Sequence, residues 1–159
     1  MYVLGRLIKK SILGTKAKIS GANLFMRLNY WVVYCGGSIM TAVPNLSGVE
    51  APAEATIALT ASAMTFTLAD IPSDVTNLKL VIQASEPQGN GITRAYSKAS
   101  AFDDPYTPVS TTIDIKAKYD AKCGAPSAGS PKVFFKYFYV NTATGEKSGE
   151  VLAQAKLSE

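Results

Sequence analysis

A change of hydrophobic period partway along the chain predicts a mainly β protein. The expected fold is an immunoglobulin-like or fibronectin-type β-sandwich of about seven strands, preceded by a short basic helical arm. Three observations carry this reading. Up to Cys35 the apolar residues recur every three or four positions, as on one side of a helix. From Thr56 onward they alternate with polar residues, and turn signals recur roughly every ten positions. Between the two lies TAVPNLSGVEAPA, residues 41–53, whose prolines and glycine read as an extended boundary. The expected organisation is therefore an arm over residues 1–40, a linker over 41–53 and a sandwich over 54–159.

The arm is expected to hold two helices. Residues 3–13 place Leu4, Leu7, Ile8 and Ile12 on one side, and Gly14 and Gly21 interrupt the pattern. Ser20 is a suitable N-cap for a second helix over about residues 22–35, with Leu24, Leu28, Trp31, Val32 and Cys35 in one stripe and Phe25 alongside. Gly36 and Gly37 end it. A helix this short is marginal in water, so it must dock, either on its own sandwich or on a neighbouring subunit. Phe25, Leu28, Tyr30 and Trp31 are the expected docking residues, because aromatic and aliphatic anchors carry much of the energy of interfaces.

The strands follow in order. Residues 56–59 form the first. Met64, Phe66 and Leu68 alternate with threonines in the second, and 70–77 turn the chain around Pro72. LKLVIQA, residues 78–84, is a strong strand, EPQGNG at 86–91 a loop tip, and 93–102 a weaker strand. Asp103-Asp104-Pro105 turns the chain, and 111–115 alternate again. Residues 116–123 suit one or two helical turns stopped by Gly124. KVFFKYFYV, residues 132–140, is the most strand-like run, with Phe134, Lys136 and Phe138 on one face and Phe135, Tyr137 and Tyr139 on the other. NTATGE forms a hairpin loop with Gly145 suited to a positive φ, and 151–157 close the chain.

Charge is unevenly spread. The formal net charge of +4 divides into +6 before Glu50, where no acidic side chain occurs, and −2 from Glu50 onward. Arg6, Lys9, Lys10, Lys16, Lys18 and Arg27 are the expected anion-facing residues, for an acidic protein face or nucleic acid. The apolar runs are too short and too interrupted to span a bilayer. Val32-Val33-Tyr34-Cys35 departs from a lipobox at the bulky Tyr34. Cys35 and Cys123 read as free thiols.

The junction GANLFMRLNYWVVYCGGSIMTAVP resembles a pattern in uncharacterised proteins of Bacteroidetes and their phages. It is carried here by Gly21, Phe25, Asn29, Gly36 or Gly37, and Pro44, ahead of an Ig-like domain. The closing hairpin KVFFKYFYVNTATGEKSGEVLA is similar to theirs as well, so the resemblance covers residues 20–157. The resemblance implies a structural component of a virion and no catalytic residues.

The constellations that carry chemistry give no active site. The chain has no histidine, which excludes imidazole bases and ligands, and two cysteines cannot make a four-thiolate zinc site. Asp103-Asp104 reads as a turn rather than a converging carboxylate pair, and GNG at 89–91 lacks the context of a phosphate loop. The expectation is a non-enzymatic structural or assembly protein without cofactor, most simply a phage virion component: capsid auxiliary, head–tail connection or tail protein. Its partners would be other copies and neighbouring virion proteins. The competing expectation is a bacterial surface or secreted Ig-like module that recognises glycan or protein through the 86–91 and 103–110 loops.

Overall fold

The structure, a computed structural model, describes residues 20–158. Seven strands form two antiparallel sheets that face each other: β1 (Thr56–Leu59), β2 (Met64–Thr67) and β5 (Thr112–Asp114) in one, in the order β1-β2-β5; β3 (Leu78–Ala84), β4 (Ser100–Ala101), β6 (Lys132–Asn141) and β7 (Val151–Lys156) in the other, in the order β4-β3-β6-β7. This three-plus-four order is the expected sandwich. Helix α1 (Gly21–Tyr34) lies outside the four-stranded sheet as a third layer, and α2 (Lys116–Cys123) sits between β5 and β6.

The strands form where alternation meets β-branched and aromatic residues. β3 and β6 pair from Leu78↔Asn141 to Ala84↔Phe135, and β6 and β7 from Lys132↔Lys156 to Tyr137↔Val151. This register turns Leu80 and Ile82 inward with Val133, Phe135, Tyr137 and Tyr139, against Met64, Phe66 and Leu68 of the facing sheet. Phe66 is the hub, edge-on to Tyr137 at 4.9 Å and to Phe135 at 6.0 Å. Each such fully buried side chain stabilises the fold by about 1.5–3 kcal/mol. Tyr119 of α2 closes one end; its ring meets Phe102 and its hydroxyl donates to the Ser85 carbonyl at 2.7 Å. The Ser158 amide donates to the Leu59 carbonyl, which joins the two sheets along the β1–β7 side.

One sequence expectation changes. The weaker strand over 93–102 shrinks to a 3-10 turn at Tyr96–Lys98 and the two residues of β4. Its apolar groups cover the sheet instead of extending it: Ala95 and Ala99 are buried, and Tyr96 meets Phe134 edge-on at 5.2 Å. The second helix forms as expected, over Gly21–Tyr34 with Cys35 as its C-cap. Residues 41–53 have no regular secondary structure, yet they are pinned along the sandwich. The buried Glu146 carboxylate accepts from the Gly48 amide at 2.9 Å, and the Tyr137 hydroxyl bonds the backbone of Ala53 and Ala55.

Gly145 has φ +71, as the hairpin reading expected. It also lies so close to α1 that a β-carbon there would fall 2.0 Å from the Leu28 carbonyl oxygen. Gly124 has φ +84 but open space around it. Both Gly→Ala changes therefore carry a positive-φ backbone cost of about 1–3 kcal/mol, and only Gly145→Ala adds a collision with the helix. Chemical denaturation should show Gly145→Ala clearly more destabilised than Gly124→Ala. Equal losses would mean that the hairpin tip does not seat the helix.

Candidate functional site

Helix α1 is locally well specified at both ends. The Ser20 hydroxyl accepts from the Asn23 amide at 3.2 Å, an N-cap. At the other end the Gly36 and Gly37 amides donate to the carbonyls of Val33 and Val32, with Gly36 at φ +83 as a glycine C-cap allows. The chain then returns beside the helix. Asn29 holds it there: its side-chain oxygen accepts from the Met40 amide at 2.6 Å while its amide donates to the carbonyls of Met40 and Phe25. An aliphatic residue at position 29 would leave the Met40 backbone unpaired.

One side of α1 belongs to its own sandwich. Leu24 and Leu28 are buried against Met40, Val43 and Leu46. Val32 is buried, and Trp31, Tyr34 and Cys35 cover Val81, Phe138 and Val140 on the outer face of the four-stranded sheet. Trp31 meets Phe138 edge-on at 5.3 Å, and the Lys147 ammonium lies 3.9 Å from the Phe138 ring centre.

The other side is left to solvent. Met26 is 61% exposed, Tyr30 58%, Val33 50% and Ile39, on the returning chain, 70%. With Phe25 and Met40 they line an apolar groove of about 590 Å3. A contiguous run of such side chains marks a contact surface more often than a bare monomer face. Of the four expected docking residues, Leu28 and Trp31 are used within the chain, whereas Phe25 and Tyr30 line the groove. Met26, Val33 and Ile39 were not expected there. The signal for the first two was present, since positions 26, 30 and 33 repeat the helical spacing on a second face.

Arg27 is exposed on α1; Arg6, Lys9, Lys10, Lys16 and Lys18, and the expected helix over 3–13, lie outside the described residues. Among the described residues no three His, Cys, Asp or Glu side chains converge as metal ligands. Asp103 anchors the 103–110 loop. Its carboxylate accepts from the Lys118 ammonium at 2.6 Å and from the Tyr106 hydroxyl, and Leu80 and Tyr106 exchange backbone hydrogen bonds. Burial pushes its pKa up, but Lys118 and Tyr106 outweigh this and hold it below the ordinary carboxylate value. The 86–91 loop is fastened by Gln88 to Lys132, seven residues along β6 from Tyr139, which faces Leu80. Gln88 and Tyr106 are thus anchored about 23 Å apart along the sheet at 3.3 Å per residue, while the near ends of the two loops meet at Tyr119, whose ring contacts Phe102 and whose hydroxyl bonds the Ser85 carbonyl. Phe134 and Phe138 are fully buried, so that face of β6 offers no platform for stacked bases.

No protein-family profile matches the chain, and no curated protein matches it in sequence. Among solved structures it is similar to part of a β-1,2-glucanase from Parabacteroides distasonis. The identity is 16% and the TM-score 0.46, over 75% of this chain and 14% of that one.

Cys35 and Cys123 are free. Burial beneath α1 pushes the Cys35 thiol up to about 11. In a Cys123→Ser chain at pH 8, Cys35 should therefore react with a disulfide reagent far more slowly than a model thiol and at full rate only in denaturant. Rapid labelling of the folded chain would mean that the helix is not docked as described. For Asp103, the folded pKa lies below the unfolded one, so its contribution is present above about pH 4 and is lost as pH falls through the folded value. Asp103→Asn should cost about 0.5–1 kcal/mol at pH 7, as for a partly screened pair. The gap to the parent should narrow progressively in thermal unfolding as pH falls below about 4.

Proposed function

We propose that this chain is a non-catalytic assembly protein whose helical arm docks on neighbouring subunits, within a phage virion as a capsid auxiliary, head–tail connection or tail protein. The single observation that supports docking is the second apolar face of α1. One face already satisfies the sandwich, yet Met26, Tyr30 and Val33, together with Ile39, remain half or more exposed. A face like this favours aggregation unless a partner covers it. The virion setting rests on the resemblance of residues 20–157 to phage and Bacteroidetes proteins with a helical junction and an Ig-like domain. The basic arm adds long-range attraction for acidic faces. A surface module reading through the 86–91 and 103–110 loops is less well supported, because both loops are tied down within the chain, at Gln88–Lys132 and at Asp103–Lys118.

The test must leave α1 in place, since deleting it would uncover Val81, Phe138 and Val140. Met26→Lys combined with Val33→Lys changes only exposed positions and leaves the contacts of Tyr30 with Trp31 and Tyr34 in place. Light scattering after size-exclusion chromatography should show oligomers for the parent chain and a monomer of unchanged melting temperature for the double variant. A parent chain that is monomeric at every concentration and salt level would overturn the assembly reading and send the search to the loops.

A further inference from the structure

We infer that the groove on α1 receives residues 3–13 of a neighbouring copy of this chain. This rests on the assembly reading, which makes donor and acceptor different copies. Each chain then offers one arm and one groove, a head-to-tail contact that closes into a ring or propagates.

Three features fit this occupant. The first is apolar pattern and length. Leu4, Leu7, Ile8 and Ile12 fall on one side at helical spacing. Leu4 to Ile12 covers eight positions of sequence, as does Phe25 to Val33 along the groove. The groove presents Met26, Tyr30 and Val33 at the matching three- and four-residue steps. The second is charge. Residues 1–19 carry Arg6, Lys9, Lys10, Lys16 and Lys18 and no acidic side chain. At the Tyr34 end of the groove the Tyr34 hydroxyl donates to the Asp103 carbonyl, and the neighbouring Asp104 is exposed. Asp103 already holds Lys118, so Asp104 is the carboxylate that an arriving arm cation would meet. The third is reach. Residues 14–20 connect the segment to α1, and seven residues span up to about 23 Å when extended, enough to leave one sandwich for the groove of the next.

The test uses the full chain with Leu7→p-benzoylphenylalanine, made as an equal mixture of 14N- and 15N-labelled protein and irradiated. Crosslinks from position 7 to residues 25–40 are expected, and half of them should join a light to a heavy chain. Crosslinks confined to single chains, or directed elsewhere on the sandwich, would overturn the inference. In parallel, Leu7→Asp combined with Ile8→Asp should lower the oligomer fraction at least tenfold, as should Val33→Lys alone, with melting temperatures unchanged. If the parent assembles and Val33→Lys disrupts it while the arm variant does not, the groove docks something other than the arm: this inference fails and the assembly reading stands. If the parent never assembles, both fail together.

Discussion

Everything in this structure follows from β6 being apolar on both faces. Phe135, Tyr137 and Tyr139 look into the sandwich, while Phe134, Phe138 and Val140 look outward from the same strand. A strand in an antiparallel sheet ordinarily leaves one face to water. Here that would expose two phenylalanines and a valine in one row. The outer face must be covered, and two separate segments do it: α1 over Phe138 and Val140, and the turn at Tyr96 over Phe134.

That constraint explains the details around the helix. Gly145 is needed because the β6–β7 hairpin tip touches the Leu28 backbone, and Gly37 because a side chain there would strike Val32. Asn29 and Glu146 fasten the returning chain through backbone amides, at Met40 and Gly48. They convert a helix too short to be stable alone into a fixed layer, and the fixed layer then presents a defined second face to solvent. The same docking that satisfies the sheet thus creates the groove.

The polar residues that looked most like chemistry serve the same end. Asp103 ties the 103–110 loop to α2 through Lys118, and Asp114 accepts from the amides of Lys116 and Met64 where α2 begins. Ser85 donates to the Glu86 carbonyl and accepts the Phe134 amide, deep in the sheet. Asp114 and Ser85 thereby complete backbone hydrogen bonding, where an unpaired buried group costs about 1–3 kcal/mol, and Asp103 links two side chains.

The order of elements, the change of period near residue 55, the positive φ at Gly145 and the end of α1 at the glycine pair were all legible in the chain, because each depends on neighbours within a few positions. The division of α1 into a covered and an open face was not. Leu28, Trp31, Phe25 and Tyr30 are equally apolar or aromatic, and only the seating of the helix on Phe138 decides which of them are used internally. The fate of residues 93–102 was hidden for the same reason: their pattern suits a strand, but covering Phe134 is worth more than lengthening the edge of the sheet. Local sequence determined which segments are helix, strand and turn. Which apolar surface is left over is a property of how those segments pack, since it is the remainder after every long-range contact has been made.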